Sequence, residues 1–158
     1  MRAVAYSIRS LEKEPLAIAN RKKHEITLIS NALCLETAEY ATGKQVVIIS
    51  DKDKVTSEII SRLAQLGVKF IASRSSELKH VDKQAAGRHN IKLAVVSSFI
   101  QKQDSPASFS DYFTQCANET IQNLDTWQNE RCEGDSCSAA KDCGSHIISS
   151  ELRSRLNS

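Results

Sequence analysis

Three cysteines and a histidine gather near the end of the chain, Cys132, Cys137, Cys143 and His146, in the spacing C-x4-C-x5-C-x2-H. Three thiolates and an imidazole can close a tetrahedral zinc site, and a polar segment without a core of its own could use such a site for ordering. The spacing is not one of the strong zinc patterns, so free thiols on a polar tail stand beside the metal reading; a disulfide is disfavoured in a reducing compartment. Cys34 and Cys116 lie among apolar residues, and core packing is the expectation for both.

Other chemistries fail on residue type. Asp51 follows a Val-Val-Ile-Ile run and could accept a phosphoryl group only beside an acidic pair holding Mg²⁺ after the first strand. That pair is absent, and Asp51 reads as a turn or capping residue. Ser7-Ile8-Arg9-Ser10 lacks the glycine that brings backbone N–H groups close to a flavin phosphate. Gly43, Gly67, Gly87, Gly134 and Gly144 are never two residues apart, so no G-x-G-x-x-G dinucleotide fingerprint exists.

These residues need a scaffold. The chain has 158 residues, 41% hydrophobic and 25% charged, with 2 prolines and 5 glycines, the balance of an ordinary folded domain and not of a disordered or fibrous chain. Lys plus Arg total 21 against 19 Asp plus Glu; the formal charge of +2 is far from the concentrated basic surface that nucleic-acid backbones require. The longest apolar runs, such as Val46 to Ile49 and Leu93 to Val96, fall far short of the roughly 20 residues of a membrane span. The first ten residues carry Arg2 and Arg9 around a short apolar stretch and lack the features of a signal peptide, so a cytoplasmic location is expected.

Up to Val96, short β-branched runs alternate with stretches of helical period, the pattern of a parallel sheet covered on both faces. Strands are predicted at Ala3 to Tyr6, Glu25 to Ile29, Gln45 to Ile49, Lys69 to Ala72 and Lys92 to Val96. One helix follows Ser10, with Pro15 pushing its start towards Glu14, and a second spans Glu36 to Ala41 and stops at Gly43. A third is capped by Thr56 or Ser57, buries Ile59, Ile60, Leu63 and Leu66, and ends before Gly67; a short fourth spans about Asp82 to Arg88. After the polar stretch Ser97 to Ser108, the residues Phe109, Phe113, Ala117, Ile121 and Leu124 recur at helical spacing, predicting one amphipathic helix from about Ser108 to Glu130. The expectation is an α/β domain over 1–130 with a flavodoxin-like five-stranded parallel sheet, order 2-1-3-4-5, helices on both faces and a long closing helix. A polar, cysteine-containing tail over 131–158 follows it. Ligands of such sheets sit beyond the carboxyl ends of the strands.

The stretch Gly67-Val68-Lys69-Phe70-Ile71-Ala72-Ser73-Arg74-Ser75, followed by His80-Val81-Asp82 and Ala85-Ala86, resembles the L-G-V-[KR]-[YF]-I-A-T-R-S-x-G-x-D-H-[IV]-D run of D-lactate dehydrogenases, within the D-isomer-specific 2-hydroxyacid dehydrogenases. Val4-Ala5-Tyr6-Ser7, Leu16 to Asn20, Thr27-Leu28-Ile29 and Glu36-Thr37-Ala38 are similar to residues in the early part of that family, and Ile91 to Val96 to its last strand before the coenzyme domain. Ala117-Asn118-Glu119-Thr120-Ile121-Gln122-Asn123-Leu124-Asp125-Thr126-Trp127 is similar to the family's A-E-T-T-[IL]-x-N-L-D-x-[FW], which returns from the coenzyme domain onto the substrate domain. The resemblance covers Met1 to about Glu130. It implies the discontinuous substrate (catalytic) domain, with the NAD-binding domain missing and the ends rejoined near Ser97 to Ser108.

In the family the substrate-binding arginine, the acid/base histidine, its carboxylate partner and the nicotinamide site belong to the missing segment. The resemblance therefore implies neither a catalytic nor a cofactor-binding residue here, and no hydride transfer by this chain alone. It implies a relaxed substrate-binding loop at Ser75, Ser76 and Glu77, where the family has S-[AV]-G and holds a carboxylate through N–H groups; Glu77 adds charge and loses glycine's conformational freedom. Phe99 stands where the family often directs a tyrosine hydroxyl at substrate, and Lys79 replaces an aspartate. His80, the histidine of that run, reads as a helix-start residue packed over the sheet edge. The expected function is a stand-alone small-molecule or protein binding module, non-catalytic alone. The alternative is half of a split NAD-dependent D-2-hydroxyacid oxidoreductase completed by a separate coenzyme-domain chain. A protein partner or self-association through the face left by the coenzyme domain is expected, with no nucleic acid and no membrane.

Overall fold

The computed structural model describes residues 1–97, 106–132 and 147–148. Strands β1 (Arg2–Ala5), β2 (Glu25–Leu28), β3 (Val46–Ile49), β4 (Phe70–Ser73) and β5 (Lys92–Ala94) form a parallel sheet in the order β2-β1-β3-β4-β5, as the sequence predicts. β3 is buried at every position, because a central strand covered on both faces has no solvent side on which to place a polar residue. A two-residue strand, β6 (Ile147–Ile148), pairs in parallel with β5 and extends that edge. These are the adjacent β-branched residues of the otherwise polar tail, and a single such pair is too short for periodicity to reveal.

Successive strand residues point to opposite faces and so feed two cores. On one face Val4, Tyr6, Val47, Ile49 and Ile71 meet a 3₁₀ helix (Thr37–Ala41) and helices α2 (Ser57–Gln65) and α3 (Lys83–Arg88). On the other, Ala3, Ala5, Val46, Ile48 and Phe70 meet α1 (Ser10–Asn20) and α4 (Pro106–Cys132). The long helix docks through the predicted stripe, with Phe113, Ala117, Ile121 and Leu124 buried. Trp127 continues that stripe and stacks on Phe70 with ring centroids 4.6 Å apart. Burying each large apolar side chain contributes about 1.5–3 kcal/mol. Polar fastenings hold the helix in register: His24 Nε2 lies 2.7 Å from Asp125 Oδ1, Lys92 Nζ 3.0 Å from Glu130, and Asn123 donates to the Val95 carbonyl at 3.1 Å.

Three expectations are corrected. α1 begins at Ser10 and carries Pro15 inside it. Its first turn is closed without help from residue 15, because Glu12 Oε2 accepts the Arg9 amide at 2.9 Å, and Leu11, whose carbonyl Pro15 cannot satisfy, is an exposed residue. The segment after β2 is a 3₁₀ turn and not an α-helix, since the Thr37 hydroxyl turns back to the Ala32 carbonyl at 2.7 Å and takes the Cys34 amide at 2.8 Å. That turn sends Leu33 inward and leaves Cys34 exposed, whereas Cys116 is buried as expected. Among the described residues, no helix is long and apolar enough to cross a membrane.

Candidate functional site

β1 and β3 are neighbours whose chains depart in opposite directions, β1 towards β2 and β3 towards β4, and this divergence opens a crevice at their carboxyl ends. The crevice is a cleft of about 390 Å³. Ser7 to Arg9 after β1, Ser50 to Lys52 after β3, and Arg74 with Ser75 after β4 form its floor and sides, and Tyr112, Phe113 and Cys116 of α4 form its wall. Its volume lies in the range of small-molecule sites, roughly 300–1,000 Å³. A wider hollow of about 790 Å³ lies at the amino ends of β1 and β2, rimmed by Arg2, Lys22 and Lys23. It is on the wrong side of an open sheet for a ligand site, and its rim is solvated cationic side chains.

One buried carboxylate organises the floor. Asp53 is fully buried and accepts four hydrogen bonds: Oδ1 takes the Ser7 hydroxyl at 2.7 Å and the Leu33 amide at 3.0 Å, and Oδ2 takes the Ser50 amide at 2.9 Å and its hydroxyl at 3.3 Å. It therefore joins the loops after β1, β2 and β3. Ser7 is held at φ 53, a left-handed conformation that a non-glycine residue keeps only when its surroundings impose it. Its amide donates to Asn31 at 2.9 Å, its hydroxyl to Asp53, and its carbonyl accepts Arg74 Nη2 at 3.1 Å.

Arg74 closes the side. Its guanidinium, 6% exposed, donates through Nη1 to the Tyr6 carbonyl at 3.0 Å and through Nε to Glu12 Oε1 at 3.1 Å. The charge is thus paired and its donors are used, the condition under which an arginine tolerates burial. In the wall, Arg9 stands 5.1 Å from the Phe113 ring centroid, and Phe113 meets Tyr112 edge-on at 5.5 Å. Burial pushes the Cys116 thiol up to about 11 and the Tyr112 phenol up to about 12. Both groups are neutral at physiological pH and neither gives up a proton there.

Of the loop implied by the resemblance, Ser75 lines the cleft. Its amide donates to Ser73 Oγ at 3.2 Å and its hydroxyl to the Glu77 carbonyl at 2.9 Å. Ser76 and Glu77 are exposed, and the Glu77 carboxylate pairs with Lys79 at 3.1 Å. His80 lies in the loop between β4 and α3, where its carbonyl accepts the Val55 amide at 2.8 Å. Its Nε2 is buried without a hydrogen bond among the described residues. Phe99, Cys137, Cys143, His146 and the side chain of Cys132 lie outside the described residues. Among those described, no three His, Cys, Asp or Glu side chains are placed to hold a metal ion. Nor does the β1–α1 turn fit a dinucleotide: Ser7-Ile8-Arg9 has no glycine to bring backbone against a pyrophosphate.

Sequence reasoning missed Asp53, Arg74 and Arg9. Arg74 carried a usable signal, a charged residue continuing the wholly buried β4, which demands a buried partner. Asp53 carried none, since the exposed Asp51 two residues earlier is chemically identical.

Residues 4–135 match the family described as D-isomer specific 2-hydroxyacid dehydrogenase, catalytic domain. The chain is 36% identical over 86 residues to a D-specific alpha-keto acid dehydrogenase of Enterococcus faecalis, covering 54% of this chain and 25% of that protein. It is 33% identical over 107 residues to a 2-hydroxyacid dehydrogenase homolog of Zymomonas mobilis, covering 68% and 30%. The apo-structure of D-lactate dehydrogenase from Escherichia coli superimposes with a TM-score of 0.59 at 28% identity, over 60% of this chain and 30% of that one. The matched regions thus span 25% and 30% of the length of these two curated relatives.

Proposed function

The chain belongs to the D-isomer specific 2-hydroxyacid dehydrogenase family through its catalytic domain, and from that premise we propose that it is a binding module. It holds a small 2-oxo or 2-hydroxy acid in the cleft at the carboxyl ends of β1, β3 and β4, and transfers no hydride by itself. The observation that carries this reading is that side chains of this chain organise the cleft. Asp53 ties three of its loops together, and Arg74 ties a fourth to β1 and α1.

Two features support the non-catalytic half of the proposal. Reducing a 2-oxo acid needs a proton delivered to the developing alkoxide by a group that titrates near the working pH. Among the described residues no histidine lines the cleft, and the thiol and phenol in its wall are pushed up to about 11 and about 12. The reaction also needs a hydride donor held against the substrate, and the chain has no dinucleotide fingerprint.

Two measurements on purified protein test this. Calorimetry with pyruvate and ketoisocaproate should give saturable binding, and NADH oxidation with the same acids should stay at the buffer rate. Absence of binding overturns the module; NADH oxidation that survives repurification and tracks the protein overturns the lack of turnover. Turnover restored by a coenzyme-domain chain added in trans would make the protein half of a split oxidoreductase.

A further inference from the structure

We propose that Arg9 is the carboxylate receptor of the cleft, and that the apolar wall beside it selects acids with a hydrophobic substituent. This deepens the binding role above and rests on it.

The two guanidiniums at the cleft are engaged to different degrees. Glu12 is the one carboxylate between two guanidiniums, and Arg74 holds its Oε1 from a nearly buried position. Glu12 Oε2 already accepts the Arg9 backbone amide at 2.9 Å, and the Arg9 side chain reaches it only through Nε at 3.5 Å. The terminal amino groups of Arg9 make no hydrogen bond to a described residue, and its side chain is 52% exposed. Lys52 and Asp51 adjoin on the rim with opposite charges, and the Asp53 carboxylate lies buried beneath the floor. Among the described residues of the cleft, Arg9 is the guanidinium whose terminal donors are left for a ligand.

Its placement suits a receptor. The guanidinium stands over the Phe113 ring, a contact that costs it little hydration and limits its rotamers before a ligand arrives. A guanidinium so held offers the planar pair of N–H donors that matches a carboxylate. The backbone alternative is partly used up, because the Ser75 amide donates to Ser73 within the loop. Next to Arg9 the surface turns apolar: Ile8 and Phe113 are almost wholly buried, and Cys116 presents an uncharged thiol. An acid whose carboxylate meets Arg9 would set its carbon chain against these groups.

The test uses three probes of related shape: ketoisocaproate, methyl isobutyl ketone, which has the same branched chain without a carboxylate, and pyruvate, which has the carboxylate without the chain. The wild-type protein should bind ketoisocaproate about tenfold or more tightly than either of the others, the scale of one charge-assisted bidentate contact or one apolar side chain. Arg9→Met should lose that margin over the ketone while its ketone affinity is unchanged, and Arg9→Lys should retain part of it. The helix cap survives both changes because it uses the Arg9 backbone, and the thermal midpoint checks this. Independently of any variant, ketoisocaproate should shift the Arg9 Nε and Ile8 amide resonances of the wild-type protein.

Ketoisocaproate bound equally well by folded Arg9→Met, or resonances of Arg9 that do not move, would overturn the receptor assignment and leave the module standing. Pyruvate bound as tightly as ketoisocaproate would overturn the selection by the apolar wall. A wild-type protein that binds no probe would overturn the module itself.

Discussion

Replacing Asp53 by alanine should cost the domain a large share of its stability. The carboxylate is fully buried and accepts two backbone amides, of Leu33 and Ser50, and two hydroxyls, of Ser7 and Ser50. The hydroxyls can rotate towards other acceptors, but the amides are fixed by their loops. Each buried donor left without a partner costs about 1–3 kcal/mol, so the two amides set an expectation of about 3–5 kcal/mol once part of a hydroxyl penalty is added. Against the roughly 5–15 kcal/mol of an ordinary domain this moves the urea midpoint far down. Asp53→Asn keeps a single acceptor oxygen and turns an NH₂ towards one of the two donor pairs, for about 1–3 kcal/mol. That variant should stay folded yet bind ketoisocaproate more weakly, because Ser7 and Ser50 line the cleft. Asp51→Ala is the control: its side chain is exposed, and the change should stay within about 0.5 kcal/mol. An Asp53→Ala variant within about 1 kcal/mol of wild type, or an Asp51→Ala variant as destabilised as Asp53→Ala, would show that the floor is not held by this carboxylate.

Burial holds the His80 imidazole below its ordinary pKa, with Asp51, Asp53 and Glu77 pulling weakly the other way. The fold thus favours the neutral ring. The unfolded chain binds the extra proton between the folded pKa and the ordinary value of about 6.5. Stability from this group is complete above that value, falls as pH drops from it to the folded pKa, and levels off below. Thermal midpoints across pH 5 to 8, a window of about three units around the ordinary histidine value, should show this fall in the wild-type protein. His80→Gln should show a smaller one, and an unchanged slope would refute the assignment. On the opposite core, Leu124→Ala should cost about 2–5 kcal/mol by urea unfolding, because Leu124 is fully buried between α4 and the sheet. A cost near zero would mean that the long helix is not fastened through this stripe.

The fold was legible where one local pattern settled one element. Val46 to Ile49 has no polar residue and is buried at every position, and Thr56 caps α2 through its side chain while Gly67 beyond it takes φ +99. The long helix was legible because its stripe repeats over several turns. Errors arose where a side chain competed with the backbone: the Thr37 hydroxyl tightens a helical pattern into 3₁₀ and turns Cys34 out, and Glu12 closes the start of α1 that Pro15 seemed to forbid.

The cleft was hidden for a different reason. Its defining contacts join residues far apart in sequence: Ser7 and Asp53 are separated by 46 positions, Glu12 and Arg74 by 62, and Tyr6 and Arg74 by 68. A periodicity window of roughly 11–18 residues cannot see across such gaps. What a single sequence offers instead is a demand without its answer, in that an arginine continuing a buried strand must find a carboxylate. Parallel β–α units bring the ends of β1, β3 and β4 to the same edge, so the answer has to come from the loop or first helical turn after one of those strands. Of the carboxylates there, Asp53 is occupied by amides and hydroxyls, Asp51 and Glu58 are exposed, Glu77 pairs with Lys79 and Asp82 caps α3, which leaves Glu12. With Glu12 Oε1 committed to Arg74, Arg9 meets the other oxygen only through Nε at 3.5 Å, and its terminal N–H groups are the donors that the proposed receptor would offer an anion.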